Sequence, residues 1–99
     1  MKPRLCSLVV YTIGSGDAEQ VNRRRADGDA IGNQVRAGDE YPAIVVRDFN
    51  EASGTVNLKV LLDGNDDYWA TSRVRGTGYG EWHWPPNPER EPGDRPQRF

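Results

Sequence analysis

The stretch that decides the fold runs from Gly54 to Trp84 and reads GTVNLKVLLDGNDDYWATSRVRGTGYGEWHW. Apolar side chains alternate with mostly polar ones from Val56 to Leu62, which is the period of a strand with one buried face. The next residues, Asp63 to Asp66, have the composition of a tight turn, because Gly and Asn tolerate a positive φ and Asp bonds to its own backbone. A second alternation, from Tyr68 to Val74, predicts an antiparallel return strand.

A third strand follows a glycine-rich break at residues 76–80. Because successive side chains of a strand point to opposite faces, Trp82 and Trp84 share one face and His83 lies on the other. On the preceding strand the same alternation places Tyr68 and Ala70 on the buried face and Trp69 on the opposite one. The three strands together predict a β-meander.

Two more strands precede the meander. The segment from Leu5 to Ile13 is apolar on both faces, which favours a central position in the sheet and a buried, inert Cys6. The segment from Glu40 to Phe49 begins beside Pro42, which lacks an N–H for the ladder and is therefore typical of a strand start or an edge.

The connection between these two strands, residues 14–39, is a long polar loop. Asp17 is placed to cap a short helix from Ala18 to Ala26, and Gly28 is placed to end it. The apolar content of this helix is little more than Ala18 and Val21. We therefore expect the loop to have almost nothing of its own to pack against.

Five strands with a long first connection and tight later turns predict an all-β fold, a small five-stranded SH3-like barrel; a small β-sandwich is the alternative. The domain spans residues 1–84. Beyond it, residues 85–99 hold five prolines and no apolar cluster, which predicts an extended, Pro-rich C-terminal tail. A core this small gains stability from an oligomer or a larger assembly.

Composition excludes several kinds of function. The chain of 99 residues has one cysteine, so it has neither an internal disulfide nor a cysteine-based zinc site. No apolar run approaches the roughly 18 residues that span a bilayer, so we expect no membrane contact. Residues 39–68 carry seven acidic and two basic side chains, which argues against a nucleic-acid groove there. No nucleophile–base pair or phosphate loop is recognisable, so we expect neither an enzyme nor a cofactor.

Tryptophan and arginine supply the candidate contacts with a partner. Three tryptophans exceed what so small a core absorbs easily, and Trp69 is the best candidate for exposure. Arg73 and Arg75 near Trp69 suggest a grip on a nucleotide, with guanidinium for phosphate and indole for base stacking. The run Arg23, Arg24 and Arg25 lies among acidic residues that nearly cancel its field. A solvated loop, or salt bridges to a neighbouring subunit, is the simpler account of this run.

Metal binding has little support in the sequence. His83 has no second His or Cys at ligand spacing, so a hydrogen-bonded structural histidine is the simpler reading. The cluster from Asp63 to Asp67 lacks the glycine position and the terminal Glu of an EF-hand. We interpret the cluster as a hairpin turn with solvated carboxylates.

Three segments carry a resemblance to known proteins: PAIVV at Pro42–Val46, VNLKV at Val56–Val60 and GEWHWP at Gly80–Pro85. Over about residues 40–86 the chain resembles small all-β proteins of tailed bacteriophages that end in a Gly-x-Trp-His-Trp-Pro box. Most of that group has no assigned role. Where a role is assigned, it is a virion or small accessory one, and the resemblance implies no chemistry.

We therefore expect a virion structural protein, made in the host cytoplasm and carried in the particle, that decorates or cements the capsid or is a related minor component. It would be a homo-oligomer or multi-copy part, with its loop and tail reaching adjacent capsid subunits. The expected contacts are Trp69, Arg73, Arg75, Arg23, Arg24, Arg25, Pro85, Pro86, Pro88 and Phe99. The alternative is a soluble phage accessory protein that binds a nucleotide signal or a host protein.

Overall fold

The structure, a computed structural model, describes residues 2–86, and it is mostly β. Within these residues five strands form one antiparallel sheet in the order β4-β3-β2-β1-β5, and one helix lies in the first connection. The elements are β1 Leu8–Thr12, α1 Ser15–Ala26, β2 Glu40–Asp48, β3 Val56–Leu61, β4 Asp67–Arg73 and β5 Trp82–His83. The five predicted strands are therefore confirmed, but the predicted three-stranded meander is wrong, because β5 pairs with β1 and not with β4. The segment between β4 and β5 carries the chain to the opposite edge of the sheet, so the consecutive antiparallel neighbours are β1 to β4.

One face of the sheet, the inner face, forms the core. Its side chains alternate along every strand with those of the opposite face, as the pleat requires, and burial of this apolar set is the main favourable term in folding. The buried inner-face residues are Val9 and Tyr11 of β1, Ala43 and Val45 of β2, Val56, Leu58 and Val60 of β3, Tyr68 and Ala70 of β4, and Trp82 of β5.

The first connection packs against the inner face, so the expectation that it has nothing to pack against is wrong. Val21 of α1 and Val35 beyond it are 0% and 1% exposed, and both belong to the core cluster. Two fully buried valines suffice because the five-stranded sheet presents a broad apolar face for them to cover. Most polar residues of this segment are exposed, but Asp17 is buried among the inner-face residues.

Helix α1 begins three residues earlier than the sequence predicts. Gly14 is the N-cap, and Asp17 lies at the third helical position, where its Oδ2 accepts the Gly14 N–H at 2.9 Å. Gly28 ends the helix as predicted, with φ of +81°, and its N–H donates to the Arg25 carbonyl. The Asp29 N–H donates to the Arg24 carbonyl, which completes a Schellman motif.

Strand β1 is shorter than predicted, and Cys6 is exposed rather than buried. Cys6 has φ of +75°, and the Ser7 N–H donates to the Arg4 carbonyl, so residues 4–7 form a turn instead of the first part of a strand. Strand β1 nevertheless lies inside the sheet, between β2 and β5.

A β-bulge in β4 changes the face on which Arg73 lies. The register shifts by one residue between the pairs Leu58–Ala70 and Val56–Arg73, and Ser72 has φ of +55°. The Ser72 N–H donates to Asn57 Oδ1 at 2.7 Å, which holds the bulge in place. The extra residue turns Arg73 toward the inner face, where strict alternation would have placed Ser72.

The two edges of the sheet meet at one end. An isolated parallel bridge joins Arg75 to Trp82, and the Gly76 N–H donates to the Trp82 carbonyl at 2.8 Å. The Trp82 indole N–H donates to the Gly54 carbonyl, and Trp84 packs edge-on against Trp82 with ring centroids 5.2 Å apart. Trp82 and Trp84 share one face, as the sequence predicts.

Candidate functional site

Asp17 is the most heavily hydrogen-bonded side chain in the interior. It is 4% exposed, and its Oδ2 accepts the Tyr11 hydroxyl at 2.5 Å as well as the Gly14 N–H. Its Oδ1 accepts the Tyr68 hydroxyl at 2.8 Å and Arg73 Nη2 at 3.0 Å. These four donors come from β1, the start of α1 and β4, so the carboxylate ties the helix to two strands.

Burial and the Asp17 carboxylate raise the pKa values of the two tyrosines that donate to it. Burial, followed by the hydrogen bond to Asp17, raises the pKa of Tyr68 to about 12. The same causes in the same order raise the pKa of Tyr11 well above its ordinary value of about 10. Both hydroxyls therefore remain protonated donors, and with four donors already bound the carboxylate is fully used in holding the fold.

The arginine run also has internal partners. Arg25 Nη2 contacts Asp66 Oδ1 at 2.8 Å and Arg25 Nη1 contacts the Asn33 carbonyl, while Arg24 Nη2 lies 3.3 Å from Asp66 Oδ2. The acidic partner expected on a neighbouring subunit is thus found in the same chain, in the turn between β3 and β4. Arg23 is exposed and pairs with Glu19 one helical turn away.

The acidic turn is hydrogen-bonded rather than arranged around a cation. Asp63 Oδ2 accepts from the Asn33 amide and Asn65 Oδ1 accepts the Ile31 N–H, while Asp66 is held by the two arginines. Among residues 2–86, no group of three or more His, Cys, Asp or Glu side chains is placed to hold a metal. His83 Nε2 lies 3.5 Å from Glu40 Oε2.

The predicted nucleotide grip is not assembled within one chain. Trp69 is exposed on the face of the sheet opposite the core, whereas Arg73 crosses to the inner face and pairs with Asp17. The backbone N–H of Arg75, beyond the end of β4, donates to the Ser53 carbonyl. The physical reason is the bulge at Ser72, which separates Trp69 from Arg73.

The face opposite the core, the outer face, carries an apolar row that the sequence analysis did not identify. Leu8, Ile44, Lys59 and Trp69 are successive register partners across β1, β2, β3 and β4. Leu8 is 55% exposed and Trp69 is 59% exposed. We call these four residues the outer row; Lys59 is its one charged member, and its Nζ lies 3.6 Å from Asp67 Oδ1.

More apolar side chains extend the outer row. Val10 lies next to His83 of β5, and Leu61, 41% exposed, lies next to Asp67 of β4. The alternation in β3 does place Leu61 among the polar positions, which is a sequence signal of this surface. Leu8 could be found only with the register between β1 and β2, because β1 reads as apolar on both faces.

Two of the predicted tail contacts, Pro85 and Pro86, lie within the described residues. Pro85 and Pro86 are exposed, directly after Trp84. Pro88 and Phe99, the other predicted tail contacts, lie outside the described residues.

No protein-family model, curated protein or solved structure shows significant similarity to this chain. The single helix found in residues 2–86 has 12 residues and is neither long nor apolar enough to cross a bilayer. The candidate functional site therefore stands on geometry alone, and it is the outer face.

Proposed function

We propose that this protein is a structural component of a phage virion, present in many copies, that acts by binding neighbouring proteins of the shell through its outer face. The observation that carries the proposal is the outer row, a continuous line across four strands in which three of four side chains are apolar. The virion as the setting rests on the resemblance of the Gly80–Pro85 box to small phage proteins.

The exposure of Trp69 supports a protein partner. Trp buries a large area with little loss of side-chain entropy, and it is among the residues that most often dominate binding energy at interfaces. An antiparallel sheet normally presents polar side chains on the face away from its core. Here that face holds exposed Leu8, Leu61 and Trp69 together with half-buried Ile44, and exposed apolar side chains grouped in this way mark interaction sites.

The tail and the sheet edge complete the proposal. The chain leaves β5 through exposed Pro85 and Pro86, and we expect Pro88 and Phe99 further along to contact an adjacent subunit. Arg23, exposed on helix α1, remains a candidate contact with a partner. The bridge between Arg75 and Trp82, which brings the sheet edges together at one end, supports classification of the fold as a small SH3-like barrel.

A binding role suits the described chemistry better than catalysis does. Asp17, the one buried carboxylate among residues 2–86, already accepts hydrogen bonds from four donors, so its lone pairs are occupied. Because Trp69 and Arg73 lie on opposite faces, they do not form the predicted nucleotide pocket within a single chain.

The experiment is quantitative mass spectrometry of density-purified particles of the phage that encodes the chain, grown with wild-type protein or with single variants. We expect the wild-type polypeptide at a fixed multiple-copy ratio to the major capsid protein. Trp69→Ser should be lost from particles. Ile31→Ser, at a 75% exposed apolar position away from the outer face, should be retained. Absence of the wild-type polypeptide from purified particles would refute the virion role.

A further inference from the structure

The outer row has a property that a general binding surface does not need: its two ends differ in size, and its charge lies off-centre. Trp69 occupies one end, and Leu8 occupies the other. We propose that the outer face binds the same face of a second copy, around a two-fold axis that runs along the strands between Lys59 and Ile44. The inference rests on the proposed function, because it takes the outer face as the contact surface.

The register fixes which residues would meet. Neighbouring strands are about 4.8 Å apart, so the four-strand row is about 14 Å long. A two-fold axis along the strands at its midpoint places Trp69 against Leu8 of the partner subunit, and Lys59 against Ile44 of the partner subunit. The large indole then faces a smaller aliphatic side chain at both ends of the interface, which lets the two sheets pack face to face in an aligned sandwich.

The charge of Lys59 favours this axis over the axis perpendicular to it, which runs along the outer row. A two-fold axis along the row would superpose each residue on its own copy and bring the two Lys59 ammonium groups together, which is unfavourable in a desolvated interface. With the axis along the strands, each Lys59 meets an aliphatic side chain and keeps its own Asp67, 3.6 Å away in the same chain. The long lysine stem then adds apolar contact while its charge stays paired.

The available area fits a modest dimer. Four strands of about six residues present a face roughly 20 Å by 20 Å at the usual strand spacing and rise. Two such faces cover roughly 800 Å² in total, below the roughly 1,000 Å² of a stable specific interface and in the range of a weak or transient one. We therefore expect self-association within an experimentally accessible concentration range.

The first test is sedimentation equilibrium on the full chain and its variants, over a range from about 1 μM to 1 mM, which covers moderate to weak association. The wild type should form a dimer that does not grow further. Trp69→Ser and Leu8→Ser should each raise the dissociation constant at least about tenfold, while Ile31→Ser should leave it unchanged. A wild type that stays monomeric throughout would overturn the proposal, and so would an equal effect of Ile31→Ser.

The second test fixes the axis by cross-linking in a Cys6→Ser background, which removes the exposed native thiol. Trp69→Cys and Leu8→Cys molecules are mixed and treated with a bismaleimide of about 10 Å reach, the spacing of two packed sheets. The mixture should cross-link efficiently because one native Trp69–Leu8 contact survives in each mixed dimer. A sample of Trp69→Cys alone should not cross-link, because the two thiols of such a dimer, one in each subunit, would lie about 17 Å apart. Efficient cross-linking of Trp69→Cys alone would show that the proposed axis is wrong.

Failure of the dimer is distinguishable from failure of the proposed function. If the wild type is monomeric but Trp69→Ser is still lost from particles, the outer face binds another virion protein, and only the second-copy proposal fails. A monomer in which Trp69 resists oxidative labelling would show that the chain covers the face with its own residues, which also overturns the second-copy proposal.

Discussion

At the scale of single residues, four hydrogen bonds in the interior converge on Asp17. Burial of a carboxylate is costly unless its oxygens are hydrogen-bonded and its charge is paired. Tyr11, Tyr68 and Arg73 meet both conditions, since they donate to both oxygens and supply a positive charge. Removal of the acceptor leaves a largely buried guanidinium and two buried hydroxyls without their partner.

We expect Asp17→Ala to lower the free energy of unfolding by about 3–5 kcal/mol, the range for one broken half of a buried pair. Asp17→Asn keeps the shape and part of the acceptor capacity, so its loss should be smaller, about 1–3 kcal/mol. Urea unfolding followed by circular dichroism measures both. The matched control is Glu19→Gln in the same helix, whose exposed pair with Arg23 should be worth at most about 0.5 kcal/mol. Equal effects of Asp17→Ala and Glu19→Gln would contradict this role of Asp17.

The tyrosines around Asp17 predict the alkaline limit of stability. An unfolded tyrosine ionises near pH 10, whereas the pKa of native Tyr68 is raised to about 12. Between these values the unfolded chain has lost a proton that the native chain keeps, so stability is complete below about pH 10 and falls as the pH rises. Tyr68→Phe should make this fall less steep, although it also lowers stability at neutral pH. Denaturation midpoints measured from pH 8 to 12 test the prediction, and an unchanged slope in Tyr68→Phe would contradict it.

At the scale of elements, the first connection is held to the sheet by a close crossing of two backbones. Gly32 bridges Gly64, the Asn33 N–H donates to the Asp63 carbonyl, and the Asn65 N–H donates to the Ile31 carbonyl. A Cβ on Gly32 would lie 2.6 Å from the Asp63 carbonyl oxygen, a backbone atom that cannot move aside cheaply. The crossing therefore requires glycine.

We expect Gly32→Ala to lower the free energy of unfolding by about 1–3 kcal/mol, as overpacking does. It should also accelerate hydrogen exchange at the Asn33 and Asn65 amides more than at amides of β3. Gly16→Ala is the matched control: its Cβ would meet nothing within 4 Å, and Ala is up to about 1 kcal/mol better than Gly in a helix. Similar losses in both variants would show that the crossing is not the cause.

The sequence predicts elements that depend on local periodicity and misses those that depend on tertiary contacts. The alternation in β3 and the glycine at the end of α1 are local signals, and both predictions are confirmed. The bulge at Ser72 depends on an acceptor 15 residues away, Asn57, so period-two counting placed Arg73 on the wrong face. The sequence analysis did not identify Val35, because its burial in the core cluster depends on tertiary packing and not on a local pattern.

At the scale of the whole molecule, the sheet has two apolar faces with different roles. Trp82 is fully buried on the inner face, where its indole N–H reaches the Gly54 carbonyl. Trp69 is 59% exposed on the outer face, where it contributes little to the fold of one chain. Trp82 thus stabilises the fold, whereas Trp69 is available for the proposed assembly contact.

We expect Trp82→Ala to lower the free energy of unfolding by about 3–5 kcal/mol, as large-to-small substitutions in cores do. Trp69→Ala should change it by about 0.5 kcal/mol or less when both are measured at dilution, where self-association does not contribute. Guanidinium unfolding at two protein concentrations separates the two effects. A large loss for Trp69→Ala in the dilute sample would mean that the outer face is part of the fold rather than a contact surface.

The hydrogen bonds of Asp17 also bear on the order in which the chain acquires its shape. The two that reach β4 join residues 51 and 56 positions apart, whereas the hairpins of β2, β3 and β4 close through short turns. Short loops close before long ones, so these hairpins can form before helix α1 docks on the sheet. Asp17 is therefore expected to dock late, and its loss should chiefly hasten unfolding while leaving the refolding rate almost unaltered.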